Sequence, residues 1–125
     1  MSWRSLTRKS EFQETYEKGA KFVGRLLVLY LLPAEDQAWA VVASRKVGKA
    51  VRRNRAKRLL REARRQGFLG RPEATASLLA RLNPRPDGEG AVPAGLWVVL
   101  VARQGILAAS SCEVRQELDD LLDRA

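Results

Sequence analysis

Eleven lysines and arginines and a single acid, Glu62, lie between Arg45 and Arg65, a local charge of +10 in a chain whose total is +9. Everything outside that stretch therefore sums to −1, and the protein reads as a near-neutral scaffold holding one very basic element. Arginine outnumbers lysine there by eight to three. That choice favours phosphate, because a planar guanidinium fork engages phosphate oxygens in pairs where an ammonium acts as a point charge. Charge this concentrated points to a polyanion, most simply a nucleic acid, with a membrane surface as the competing reading.

Other chemistry is excluded by what the chain lacks. It contains no histidine, which removes the commonest general base, a Ser-His or Cys-His nucleophile and the usual nitrogen ligand for a metal. Cys112 is the only cysteine, so no internal disulfide and no cysteine-rich metal site can form. A single thiol fits a reducing, cytoplasmic setting. It falls in the first turn of a predicted helix with no basic neighbour, and it is read as a bystander. No glycine-rich phosphate loop is present, and the acids are scattered or gathered on one C-terminal helix. The chain is expected to bind and position, with no catalytic or metal-holding constellation of its own.

The elements that must position the basic stretch follow from periodicity and caps. With 125 residues and 46% hydrophobic content the chain is expected to form one domain, residues 1–125, with a real core. Ser10-Glu-Phe-Gln13 reads as a capping box opening a helix that Gly19 stops. Phe12 and Tyr16 lie at i and i+4 on one face of it, compatible with core packing or with display. Arg25 to Leu32 reads as a buried strand ended by Pro33, and Trp39 to Ser44 as its hairpin partner. Tyr30, mid-strand, is compatible with a core position or with an open sheet face.

Gly48 breaks the second strand, and a helix is predicted from about Ala50 to Gln66. On a helical wheel Ala56, Leu59, Leu60 and Ala63 cluster on the docking side, while Asn54, Arg58, Arg61 and Arg65 form the opposite ridge, flanked by Lys57. Arg58 and Arg61, Lys57 and Arg61, and Arg61 and Arg65 are like-charged neighbours, each pair mildly destabilising unless a ligand removes the repulsion. The apolar side is Ala and Leu without an aromatic anchor and is needed to cover the sheet, which disfavours a membrane surface.

Residues 71–94 form a Pro/Gly-rich loop or insertion, with a brief helix from Glu73 to Leu82 and a turn-rich segment from Arg85 to Pro93. Leu96 to Ala102 is another buried strand. Ser110-Ser-Cys-Glu113 caps a last helix with Val114, Leu118, Leu121 and Leu122 as its apolar stripe and five acids on its wet side. The predicted order is α-β-β-α-β-α, an α+β domain. The longest apolar run, Leu26 to Leu32, is too short to span a bilayer, and Met1 to Lys9 lacks the apolar segment of a secretory signal.

The stretch from Ser44 to Ala63, centred on Arg53-Asn54-Arg55, resembles the signature of the protein subunit of bacterial ribonuclease P. Phe12 in Ser-Glu-Phe, Gly19, Arg25, Tyr30 and Ala102-Arg103 fall where that family's pattern expects them. The chain departs from it at Ala38 and Ala40, where relatives often carry Arg and Gly, and at Gln104-Gly105, where Lys-Pro is frequent. The resemblance implies a two-layer α/β sandwich with a left-handed β-α-β crossover, like the second domain of ribosomal protein S5. It implies a ribonucleoprotein that removes the 5′ leader of precursor tRNA, with the catalytic centre and its Mg²⁺ held mainly by the RNA subunit. Arg45, Lys46, Arg53, Asn54, Arg55, Arg58 and Arg61 would then contact the catalytic RNA, joined by Lys49, Arg52, Lys57 and Arg65 of the same stretch. Phe12, Tyr16 and Tyr30, with Arg25, would line a cleft for the leader. The implied partners are the catalytic RNA and precursor tRNA, with no membrane and no protein partner. A general structural RNA-binding protein and a DNA-binding protein reading the major groove with the 50–66 helix are the competing readings.

Overall fold

A computed structural model describes residues 3–82 and 95–125. The expected turn-rich segment from Arg85 to Pro93 lies outside the described residues. The elements are β1 (Arg4–Ser5), α1 (Lys9–Lys18), β2 (Ala20–Val23), β3 (Leu27–Ala34), β4 (Ala38–Val42), α2 (Ala50–Gln66), α3 (Ala74–Leu82), β5 (Gly95–Ala102) and α4 (Ser111–Asp123), with 3₁₀ turns at Phe68–Gly70 and Gln104–Ala108. The α+β class holds, and two short strands, β1 and β2, join the expected order.

The sheet runs β1-β4-β5-β3-β2. The expected hairpin between β3 and β4 does not form, because β5 inserts between them. β5 is antiparallel to β3, from Leu27 opposite Ala102 to Ala34 opposite Gly95, and parallel to β4, from Ala38 opposite Trp97 to Val42 opposite Val101. A strand as apolar as Leu96–Ala102 needs partners on both edges as well as cover on its faces. Three residues, Glu35 to Gln37, therefore span the roughly 10 Å of two strand spacings. Pro33 does not end β3 but sits inside it opposite Leu96. β2 pairs β3 only from Val28 to Leu31, so at Pro33 the outer edge has no strand to which an amide could donate.

Each strand presents two different faces. Leu27, Leu29 and Leu31 of β3 and Leu96, Val98 and Leu100 of β5 point into the main core. Ala56, Leu60 and Ala63 of α2 and Val114, Leu118, Leu121 and Leu122 of α4 meet them there, all buried. Truncating one of these leucines to alanine costs about 2–5 kcal/mol. The other face is nearly bare: Leu6, Ala38 and Val99 form a small second cluster, with Phe12, Tyr30, Ala40, Val42, Trp97 and Val101 packed partly buried around it. Among the described residues α1 packs over part of it.

The caps differ at the two ends of the chain. Ser110 and Glu113 form the expected reciprocal box, with Glu113 N–H donating to Ser110 Oγ at 3.2 Å and Ser110 N–H to Glu113 Oε1 at 3.1 Å. Ser10 does not cap α1, which begins one residue earlier at Lys9. Glu11 takes over, its Oε1 accepting the amides of Thr7 at 3.3 Å and Arg8 at 3.2 Å. At the other end of α1 the backbone approaches β3 so closely that a Cβ on Gly19 would lie 3.1 Å from the Leu31 carbonyl oxygen and 2.5 Å from that of Thr15. That close approach, together with the fully buried Thr15, sets the helix against the sheet.

Candidate nucleic-acid interface

The path into α2 is fixed by a tight turn. Val47 is buried as an anchor, its amide donating to the Ser44 carbonyl at 3.1 Å, and Gly48 N–H donates to the Arg45 carbonyl at 3.1 Å. Gly48 has φ +141°, a conformation L side chains rarely adopt. Gln104 Nε2 donates to the Lys46 carbonyl at 2.9 Å and ties the turn to the segment after β5. With Val47 held inward, Arg45 and Lys46 before it are exposed, and Lys49 is the N-cap residue of the helix, with no side-chain capping hydrogen bond.

α2 spans the predicted residues and splits as its wheel requires. Arg45, Lys46, Lys49, Arg52, Asn54, Arg55, Arg58, Arg61 and Arg65 are exposed, and Arg53 and Lys57 are half-buried. Of these ten cations only Arg65 forms an ion pair among the described residues, with Glu62 at 2.7 Å. Arg53 Nε is buried with no hydrogen-bond partner among them. The first turn of α2 contains no acid, although the positive end of a helix dipole favours one by about 0.3–1 kcal/mol.

The second surface is the half-covered sheet face. Phe12 and Tyr16 of α1 stand with ring centroids 6.3 Å apart, and Tyr16 meets Tyr30 of β3 edge-on at 4.8 Å. Tyr16 is 40% exposed, while Phe12 and Tyr30 are half-buried. Phe12 and Tyr30 thus pack against the small second cluster, and Tyr16 stands exposed beside them. Lys21, the cross-strand partner of Tyr30, holds its ammonium 5.9 Å from that ring's centroid. Burial and the neighbouring Tyr30 push the Tyr16 phenol above its ordinary value, so it stays neutral.

Sequence reasoning missed the device that holds α1 over this face. Arg4 Nη2 donates to Glu11 Oε2 at 2.6 Å while its Nε donates to Asp36, and Asp36 Oδ1 accepts the Trp97 indole N–H at 2.8 Å. β1, α1, the β3–β4 connection and β5 are clasped at one point. The Arg4 guanidinium holds both the Glu11 and Asp36 carboxyls below their ordinary values. No local pattern could reveal partners so far apart along the chain.

Arg25 is not brought to the three rings. It sits in the β2–β3 turn, where its amide donates to Glu117 Oε1 at 2.8 Å and those of Leu26 and Leu27 donate to Oε2 at 2.7 and 3.0 Å. Glu117, expected on a purely acidic outer face, is thus the cap of this turn. The Arg25 side chain is exposed and lines a crevice of about 510 Å³ with Lys46 and Arg103. At the β4 edge, Arg61 lines a small groove with Leu6 and Ala40, and so brings the ridge of α2 to the border of the α1 side. Among the described residues no three acidic, His or Cys side chains converge into a group that could hold a metal ion. No described helix is long and apolar enough to cross a membrane.

Comparison with known proteins bears on the family of the chain. The family model described as Ribonuclease P matches residues 2–125. The ribonuclease P protein component of Nitratiruptor sp. is 33% identical over 121 residues, covering 97% of this chain and 91% of that one. The corresponding protein of Symbiobacterium thermophilum is 35% identical over 123 residues, covering 96% and 89%. In fold, the chain is similar to the ribonuclease P protein of Thermotoga maritima, with a TM-score of 0.67 at 22% identity over 98% of this chain and 97% of that one.

Proposed function

The chain belongs to the ribonuclease P protein family, and on that premise we propose how its two surfaces divide the work of tRNA 5′ maturation. It is the protein subunit of a ribonucleoprotein endoribonuclease, and an RNA is its partner. The exposed face of the 44–65 stretch grips the catalytic RNA, with Arg45, Lys46, Lys49, Arg52, Arg53, Asn54, Arg55, Lys57, Arg58, Arg61 and Arg65 as the contacting set. The cleft of Phe12, Tyr16 and Tyr30 takes the single-stranded leader of precursor tRNA, and Arg25 meets leader phosphates beyond the rings.

The observation that carries this reading is the ridge itself: ten cations on one exposed stretch with a single ion pair among the described residues. Phosphates entering it remove like-charge repulsion along α2 and release condensed counterions from the RNA. Aromatic stacking suits a leader of variable sequence because every base has a π-face, and it contributes about 1–3 kcal/mol per base. Mg²⁺ belongs with the RNA subunit in this reading, and cleavage takes place there. The chain acts as one RNA-binding domain in the cytoplasm.

Purified protein mixed with a bacterial ribonuclease P RNA and precursor tRNA at low Mg²⁺ is expected to stimulate leader removal. No stimulation would refute the reading. A general structural RNA-binder would bind the RNA without raising the cleavage rate.

A further inference from the structure

α1 is held to the sheet near both of its ends, and Phe12 and Tyr16 lie between the two holds. At the C-terminal end Gly19 sits against the Leu31 carbonyl of β3. At the N-terminal end the polar hold is the Arg4 side chain. Its Nη2 donates to Glu11 Oε2 at 2.6 Å and its Nε to Asp36, and its guanidinium carbon stands 5.6 Å from the centroid of the Trp97 ring. Its backbone amide donates to the Gln37 carbonyl at 3.1 Å, so the strand that carries Arg4 is itself fixed along β4.

Both partners of Arg4 lead to the rings. Glu11 immediately precedes Phe12, and its carbonyl accepts the Thr15 hydroxyl at 2.8 Å, next to Tyr16. Asp36 accepts the Trp97 indole N–H at 2.8 Å, and Trp97 packs with Phe12 and Tyr30 around Leu6, Ala38 and Val99. That cluster is small beside the main core on which α2 and α4 sit. Apolar burial is also non-directional, so it does little to fix where α1 lies on the sheet. A planar guanidinium fork that meets carboxylates on two different elements fixes orientation as well as distance. The three rings come from α1 and β3, so their spacing, 4.8 Å between Tyr16 and Tyr30, is set by the placement of one element on the other. Rings held in place beforehand lose little further freedom when a base stacks on them.

We infer that Arg4 is a positioning residue for the leader of precursor tRNA: by bridging Glu11 and Asp36 it sets α1 over β3 so that Phe12, Tyr16 and Tyr30 accept leader bases, without itself touching the RNA. The inference rests on the reading of the three rings as the leader cleft.

The test is Arg4→Ala in the complex reconstituted with a ribonuclease P RNA, assayed below the melting temperature of each variant. Affinity for precursor tRNA is expected to fall about fivefold, the lower end of one stacked base. Affinity for mature tRNA and for the catalytic RNA should stay within about twofold of the parent, the margin for independent sites. Asp36→Asn keeps an acceptor for the Trp97 indole but removes the charge that Arg4 meets; it should give the same pattern, and it answers the question if Arg4→Ala does not fold. A parallel loss of affinity for all three RNAs would mark Arg4 as a residue of the fold alone and overturn the inference, as would parent-like precursor binding by both variants. Phe12→Leu, Tyr16→Leu keeps apolar side chains on α1 and removes both rings. In that background Arg4→Ala should change precursor affinity by less than about twofold; a further loss as large as in the parent would show that Arg4 meets the leader itself and would refute positioning. The ring variant alone separates the two failures. If it weakens precursor binding while Arg4→Ala does not, only the role of Arg4 falls; if it too binds precursor like the parent, the leader cleft falls and takes Arg4 with it.

Discussion

Replacing Arg58 and Arg61 together by alanine removes two exposed cations, one helical turn apart, that form no ion pair among the described residues. Nine of the ten cations assigned to the catalytic RNA share that freedom. If each neutralises one phosphate at roughly 0.7–0.9 per contact, the log–log dependence of affinity on salt has a slope as steep as about −6 to −8. The double variant should flatten that slope by roughly 1.4 to 1.8. Across a fourfold rise in salt, the parent should then lose about seven- to twelvefold more affinity than the variant. Folding should not suffer, because exposed substitutions of this kind stay within about 0.5 kcal/mol. Relief of the Arg58–Arg61 repulsion adds about 0.2–0.5 kcal/mol in the variant's favour. Filter binding or fluorescence anisotropy against a ribonuclease P RNA over a salt series measures the slope, and urea denaturation measures the fold. An unchanged slope with an intact fold would refute the assignment of these two arginines to phosphate.

Further outcomes follow from the turn before α2 and from the Arg4 clasp. Gly48→Ala forces an L side chain to φ +141° and sets a Cβ 2.7 Å from Arg52 Cδ; urea denaturation should show a loss of about 1–3 kcal/mol, and an unchanged midpoint would contradict the strain. Glu11 and Asp36 are held below their ordinary carboxyl values by Arg4, so their stabilising contribution is present above the ordinary carboxylate range and is lost as pH falls through the lowered folded values. The melting temperatures of parent and Arg4→Ala should therefore differ near neutrality and converge in acid. A gap that stays constant with pH would show that the clasp does not act through these carboxylates.

What could be read from the sequence was local, and what could not was pairing over distance. α2 and α4 were legible to within a residue because their apolar residues recur at helical spacing and their ends carry recognisable signals, including Ser110 with Glu113. The basic ridge needed only the wheel. β5 was legible as a strand but not as the one between β3 and β4, since apolar periodicity does not rank partners. The same limit hid Glu117, which reads as one acid among five on α4 but caps a turn some ninety residues earlier. Phe12 and Tyr16 were visible as an i, i+4 pair, whereas Tyr30 joined them only through the family resemblance, and its 4.8 Å approach to Tyr16 rests on where β3 lies beneath α1. Trp3, Trp39 and Arg64 carried no signal at all until packing brought the Arg64 guanidinium over both indoles.

The division of labour between ridge and cleft is tested most directly by Tyr30→Ala in the reconstituted complex, comparing equilibrium affinity for precursor tRNA with that for mature tRNA lacking the leader. The account predicts that precursor affinity falls about tenfold, the order of one stacked base, while affinity for mature tRNA is unchanged. An equal loss for both would mark Tyr30 as a residue of the fold and would contradict the leader cleft.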